Sequence, residues 1–310
     1  MAIKITKSTD PISVDKLMLV VYGNPGVGKT SMAFTANKPL LLNFDAERVS
    51  KAQWRKDVVT VSAWSEVEQI EKDDLGNYST LIIDPAGAAL ESLAQAIMDE
   101  NPKMRNGVQL SLQGFGALKA RFSAFIKRVF GWGLDVVVLA HAASDKSGDT
   151  KSYTLDAQGA SREMLQKDSL GLAFMESKGK GNSGVLQSVL HFTPDASWNA
   201  KDPCGLGDIT YEHDDSTETF LADLIAKIKT DLTKRNQGDA DEAREHSDFV
   251  AKIEQSTTLE QFNGLIEALK SLPESRRKMA WSKLKGDAKS FGFTYDTKAK
   301  QFAYQDQKAE

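Results

Sequence analysis

Cysteine is nearly absent: the 310 residues hold only Cys204. One thiol excludes an internal disulfide framework and a zinc site built from clustered cysteines. It suits a reducing compartment. Long hydrophobic runs are missing as well. No apolar stretch reaches the roughly 20 residues that a membrane-crossing helix needs. Residues 1–14 alternate polar and apolar side chains and contain no signal-peptide hydrophobic region. The expectation is a soluble, cytoplasmic protein with no membrane partner. An excess of positive charge is lacking too. The formal net charge is −4, so nucleic-acid contact, if any, must come from local basic loops or patches. There is no internal repeat and no long low-complexity tract.

What the chain does have is length and apolar residues enough for one large domain and a smaller one. It also has one sharp motif. Gly23-Asn24-Pro25-Gly26-Val27-Gly28-Lys29-Thr30 satisfies G-x-x-x-x-G-K-[ST] at every fixed position. The apolar run at 17–22 precedes it as a buried strand, and residues 31–36 follow as a first helix beginning with Ser31. Strand, glycine loop and helix start are the context the motif requires. Backbone N–H groups of such a loop form a nest for phosphate oxygens, and the helix N-terminus adds partial positive charge. Lys29 would reach the β- and γ-phosphates of ATP, and the Thr30 hydroxyl would ligate Mg²⁺. The competing reading is a glycine-rich turn that binds nothing.

Further apolar strands are expected at 39–44, 58–61, 79–84, 135–141, 169–175 and 184–193. Helices are expected at 65–73, 88–98, 117–130 and 217–232. The best strands are apolar throughout and alternate with helices. That pattern describes an α/β fold whose mostly parallel sheet is covered on both faces. Ligands bind such sheets at the C-terminal strand ends. Gly23, Glu47, Asp84 and His141 all fall just beyond those ends. Asp84 closes an apolar strand, the Walker B pattern, and would hold Mg²⁺ through water. Residues 101–116 and 142–160 read as loops. Residues 193–205 read as irregular. The core spans 1–233 and a linker 234–240. A helical domain occupies 241–310, with helix starts at Thr258 and Pro273 and a frayed tail from Asp296.

These residues resemble the RecA-like branch of P-loop ATPases. More closely, they resemble phage RecA-like nucleotide-binding proteins, including the Sak-type single-strand annealing ATPases. The matching features are Gly23–Thr30, Ile82-Ile83-Asp84, Val137-Val138-Leu139-Ala140-His141 and the segment Thr193-Pro194-Asp195…Ala200-Lys201-Asp202. The resemblance covers roughly residues 15–225. It implies a RecA-like P-loop core in the host cytoplasm that hydrolyses ATP with Mg²⁺. Glu47 would be the base that activates water, with Asp45 its rival. His141 would sense the γ-phosphate. Lys201 would be a cation inserted into a neighbour's site, with Lys178 and Lys180 as rivals. A trans-acting cation implies self-association into a ring or filament.

The implied partner is single-stranded DNA in phage recombination or replication, contacted through the segment after His141. Lys146, Lys151, Tyr153 and Arg162 are the candidates there, and Lys103 and Arg105 lie in the earlier loop. Asp145, Asp149 and Asp156 partly cancel that charge, so a solvated loop is the alternative. In the tail, Lys270, Arg276, Arg277, Lys278, Lys283, Lys285 and Lys289 outnumber nearby acids. They read as a second DNA patch or as a solvated helix face, while Trp281 and Phe291 read as core. Two other functions compete. One is a nucleotide-gated adaptor or loader that assembles with single-strand-binding or other replication proteins without turnover. The other is a small-molecule kinase, disfavoured because no acceptor-binding lid is evident.

Overall fold

The computed structural model describes residues 5–45, 52–147, 150–157, 159–181 and 184–305. Val14–Leu232 form one compact unit; the described residues of 1–13 and 233–310 form a second.

In the first unit the chain runs β1 (Met18–Gly23), α1 (Lys29–Ala33), β2 (Pro39–Asn43), β3 (Asp57–Thr60), α2 (Trp64–Glu68), β4 (Thr80–Asp84) and α3 (Ala86–Glu100). A short hairpin follows, β5 (Arg105–Asn106) and β6 (Gln109–Leu110), and then α4 (Leu112–Trp132). The rest is β7 (Asp135–Ser147), β8 (Thr150–Leu155), α5 (Gly159–Asp168), β9 (Gly171–Lys180), β10 (Leu186–His191), β11 (Asp208–Glu212) and the start of α6 (Phe220–Gln255). The sheet order is β11-β10-β9-β1-β7-β4-β2-β3, with β8 paired to β7 alone. From β9 to β3 every neighbour is parallel; β10 and β11 add antiparallel strands at one edge. The P-loop strand β1 and the aspartate strand β4 are therefore separated by β7. This is an α/β fold built around the P-loop.

Side-chain alternation divides the core. Val20, Leu42, Ile83 and Val138 point into the face covered by α2, α3 and α4. Leu19, Leu41, Ile82 and Leu139 point into the face that holds α1 and the first turns of α6. Trp64 anchors the first face, 1% exposed and packed against Phe122 and Phe125. On the second face α6 is tied at two places. Leu221 N–H donates to Thr35 Oγ1 at 2.9 Å, and Lys229 pairs with the buried Asp135 carboxylate at 2.7 Å.

Several expectations change. The P-loop helix is only five residues long, so its dipole offers less to a phosphate than a full helix would. Residues 101–116 hold the β5–β6 hairpin and the first turn of α4, which Ser111 caps by accepting from Gly114 N–H. The loop expected at 142–160 is mostly strand: β7 runs on to Ser147 and turns back as β8. Its small polar residues carry a weak strand signal, and the ladder itself satisfies the backbone. The edge strand β11 gave no sequence signal.

The linker expected at 234–240 is helix, inside the uninterrupted α6. Helix propensity differences of about 0.5–1 kcal/mol per residue are too small for polar composition alone to end a helix. The second unit is also not all helical. After α7 (Leu259–Ser271) and α8 (Glu274–Ser290), β12 (Phe293–Asp296) and β13 (Gln301–Tyr304) form a hairpin where a frayed tail was expected. Thr258 and Gln261 form a capping box at the start of α7, and Pro273 immediately precedes α8. Phe249, Phe262, Leu284 and Phe302 give this unit its own core.

Candidate functional site

The site is built by strand parity. Side chains alternate along a strand, so Asn43 shares a face with Leu41, Asp84 with Ile82, and His141 with Leu139. All three polar side chains emerge toward α1, the face into which the P-loop delivers Lys29 and Thr30. Register lines them up: Gly23 pairs with His141, and Asn43 with Asp84. The result is a cleft of ≈ 290 Å³ across the ends of β1, β4 and β2 and the middle of β7, lined by the loop and by Asn43, Asp45, Asp84 and His141.

Two glycines of the motif are required for different reasons. Gly23 has no room for a side chain: a Cβ there would lie 2.1 Å from the Met175 carbonyl oxygen of β9. Gly28 has φ +93°, left-handed backbone that disfavours L side chains. A Cβ there would also lie 2.1 Å from His213 Cε1.

Lys29 is 7% exposed. Its ammonium donates to the carbonyls of Gly23 and Asn24 at 2.9 and 3.0 Å, so the loop holds its own cation over the cleft. Thr30 Oγ1 donates to Asp84 Oδ2 at 2.6 Å. A hydroxyl and a carboxylate in contact at the cleft wall are hard oxygen donors suited to Mg²⁺. Among the described residues no three His, Cys, Asp or Glu side chains cluster as a metal cage. A Mg²⁺ here would thus draw its remaining ligands from phosphate and water. Asn43, 3% exposed, accepts from Asp45 N–H at 3.1 Å and holds that residue at the cleft edge. Ser31 Oγ accepts from Gln53 N–H at 3.0 Å. Glu47, the expected base, lies outside the described residues, whereas its rival Asp45 lines the cleft.

Ser188 and His213 belong to the site's support and were not read from the sequence. Ser188 Oγ donates to the Val27 carbonyl at 2.8 Å, and His213 Nε2 lies 2.9 Å from the same hydroxyl. The hydroxyl proton is committed to Val27, so Nε2 carries the proton that Ser188 accepts. Burial pushes the His213 pKa below its ordinary 6.5. Both residues sit on the antiparallel edge, more than 150 positions from the loop they brace. No local pattern announces them.

The remaining candidates separate. Lys201 does not reach the cleft of its own chain: its ammonium donates to the Ser169 and Lys167 carbonyls at 2.6 and 3.3 Å, at the end of α5. Asp202 accepts from the N–H groups of Cys204, Gly205, Leu206 and Gly207. Burial raises its pKa, but these four bonds outweigh that and leave it below the usual range. The Lys201-Asp202 pair thus organises the chain locally. Lys178 pairs with Glu176.

Lys146 and Lys151 are opposite each other on the β7–β8 hairpin. The ring of Tyr153 is not free for a base. It stacks on Phe174 at 4.8 Å, and Lys151 Nζ stands 4.8 Å from its centroid. Arg162 Nε donates to the Ala157 carbonyl at 3.2 Å. Arg105 pairs with Asp99 at 2.6 Å, while Lys103 stays exposed. The hairpin continues directly from the cleft strand β7, and Asp156 N–H, just past β8, donates to the His141 carbonyl at 2.9 Å.

Comparison with known protein families agrees with this geometry. The model of a family described as AAA domain, a P-loop nucleoside triphosphatase family, matches residues 15–204. The SPbeta prophage-derived uncharacterized protein YorG of Bacillus subtilis (strain 168) is 26% identical over 141 residues, 42% of this chain and 42% of YorG. The match thus spans less than half of that relative's length. Among solved structures, the flagellar accessory protein FlaH from Methanocaldococcus jannaschii aligns with TM-score 0.36 and 10% identity. That alignment covers 66% of this chain and 87% of FlaH. Among the described residues no helix is long and apolar enough to cross a membrane.

Proposed function

This chain belongs to the AAA domain family, and on that premise we propose that it is an Mg²⁺-dependent ATPase that acts on single-stranded DNA in phage recombination or replication. The observation that carries the nucleotide half is the 2.6 Å contact between Thr30 and Asp84 beneath a loop that already holds Lys29. Bound phosphate oxygens replace the Gly23 and Asn24 carbonyls as partners of Lys29. Thr30 and Asp84 would hold Mg²⁺, and a metal there would supply charge neutralisation for phosphoryl transfer. A carboxylate of the segment after β2, Asp45 or Glu47, orients the attacking water.

The DNA half rests on the route from the cleft to the hairpin. His141 lines the cleft, where it would sense the γ-phosphate, and its carbonyl accepts from Asp156 N–H at the hairpin's base. A shift at His141 on nucleotide binding moves a hairpin that carries Lys146 and Lys151. The similarity to a prophage-derived protein supports the phage setting, in a bacterial host cytoplasm. Strand annealing is the output the family resemblance suggests, from a ring or filament of this chain. An adaptor that binds nucleotide without turning it over is the second reading.

Titration of the protein with Mg·ATP and its slowly hydrolysed analogue, followed by ATPase assays with and without single-stranded DNA, tests the proposal. Binding that Lys29→Ala abolishes, and DNA-stimulated turnover lost in Asp45→Asn or Glu47→Gln, are the expected results. Tight binding with no turnover under any condition selects the adaptor. No binding at all removes both.

A further inference from the structure

From the surface of the second unit we infer that α8 and the end of the β12–β13 hairpin form a platform for single-stranded nucleic acid that works without nucleotide. The inference rests on the reading of single-stranded DNA as partner and adds to it a contact surface remote in sequence from the P-loop. Charge is the first observation. Residues 256–305 carry nine Lys and Arg against five Asp and Glu, a net +4 within a chain of net −4.

The charge is ordered along α8. Lys278, Lys285 and Lys289 stand at i, i+7 and i+11, which places them in one line along a helix. All three are exposed. Among the described residues none of them has an acidic partner; the nearby acid Asp287 is taken by Lys283 at 2.9 Å. A rise of about 1.5 Å per residue spaces the three at about 10 Å and about 6 Å. Those steps fit phosphates along an extended strand.

Aromatic rings lie where the line ends. Phe291, expected in the core, is 47% exposed, and Tyr304 is 74% exposed. Their backbones are neighbours, because Gln305 N–H donates to the Gly292 carbonyl at 2.9 Å. Tyr304 leans edge-on against Phe293 at 5.4 Å, and Phe291 packs tilted against Phe262 at 5.8 Å. Both rings are thus propped by the core while a large part of each faces solvent. Alongside the line, Lys285 Nζ stands 5.3 Å from the Trp281 ring. A basic track beside accessible aromatic rings is the recognition chemistry of unpaired nucleic acid: phosphate to lysine, base to ring. An anionic membrane suits these residues less well. The apolar face of α8, with Ala280, Leu284 and Ala288, is buried in its own unit and is not available for insertion.

Fluorescence anisotropy of the full-length chain with a labelled oligo-dT of about 30 nucleotides, long enough to span several single-strand contacts, tests this without nucleotide and with Mg·ATP analogue. The triple variant Lys278→Glu, Lys285→Glu, Lys289→Glu is expected to weaken nucleotide-free binding at least 10-fold. It should also reduce the salt dependence of log K by about 2, at roughly 0.7 per phosphate contact on single strands. Phe291→Ala with Tyr304→Ala is expected to weaken oligo-dT binding at least about 30-fold, the scale of two lost base stacks, and leave duplex binding unchanged. DNA-free ATP hydrolysis should stay at the wild-type rate in both. Binding that appears only with the ATP analogue, and that the triple variant leaves intact, overturns the platform while preserving the ATP-gated reading. Equal loss on duplex, or phosphatidylserine vesicles capturing the chain more tightly than oligo-dT, also overturns it. No binding to oligo-dT in either state defeats both proposals.

Discussion

His213 closes the space beside Gly28: its Cε1 atom stands 2.1 Å from where a Cβ on Gly28 would lie. The P-loop is therefore gripped from behind by an imidazole, which in turn braces Ser188 against the Val27 carbonyl. Gly28→Ala meets both this wall and a φ of +93°. Mg·ATP affinity is expected to fall at least 10-fold, read by calorimetric titration. Adding His213→Ala removes the wall but not the backbone strain, so the double variant should recover affinity only in part. Full recovery would place the whole cost in the steric contact.

Acid should destabilise the fold through His213. Burial holds the His213 pKa below 6.5 in the folded state, while the unfolded chain takes up the proton near that value. Between the two values the unfolded state binds more protons, so stability rises with pH across that window and falls as pH drops below about 6.5. Thermal melting from about pH 8 to about pH 5.5, a range that brackets the histidine titration, should show a smaller decrease in Tm for His213→Gln than for the wild type. An equal decrease would mean that other groups carry the acid sensitivity.

The Thr30–Asp84 contact predicts a metal-specific defect. Thr30→Val keeps the shape and removes the oxygen. It should weaken ATP binding about 10-fold to 100-fold in the presence of Mg²⁺, the range typical when a group supporting a metal is lost. With EDTA present the loss should be much smaller, and Thr30→Ser should restore the wild-type value.

Lys201 caps the end of α5 in this chain. Lys201→Met is expected to cost about 1 kcal/mol of stability, the scale of a cation at a helix C-terminus, with ATP turnover within about 2-fold of wild type. A fall in kcat of about 1,000-fold with unchanged melting is the signature of a cation acting in a neighbour's site and would contradict the local role.

Gly238 reports on the helix that replaces the expected linker. It is exposed, and beyond its own helix backbone nothing lies within 4 Å of where a Cβ would stand. In a helix interior, Gly238→Ala should stabilise the protein by about 0.5–1 kcal/mol, measured by urea denaturation. In a flexible linker it would change nothing.

The sequence by itself determined the parts whose signal is local. Eight consecutive residues specify the P-loop. Apolar runs that end in Asp84 and His141 specify both strands and, through a period of two, the face on which those side chains emerge. The fold class follows, because runs apolar on both faces need helices on both sides. The tertiary structure decided everything that depends on partners far apart in the chain. Ser188 and His213 reach the loop only because an antiparallel edge is added to the sheet. Tyr153 stacks on Phe174, and Lys201 finds carbonyls at the end of α5, by long-range packing that no spacing encodes. Residues 142–160 and 234–240 looked irregular because their polar composition gives weak local preferences. Ladder pairing in the first and helix propagation in the second outweigh differences of that size.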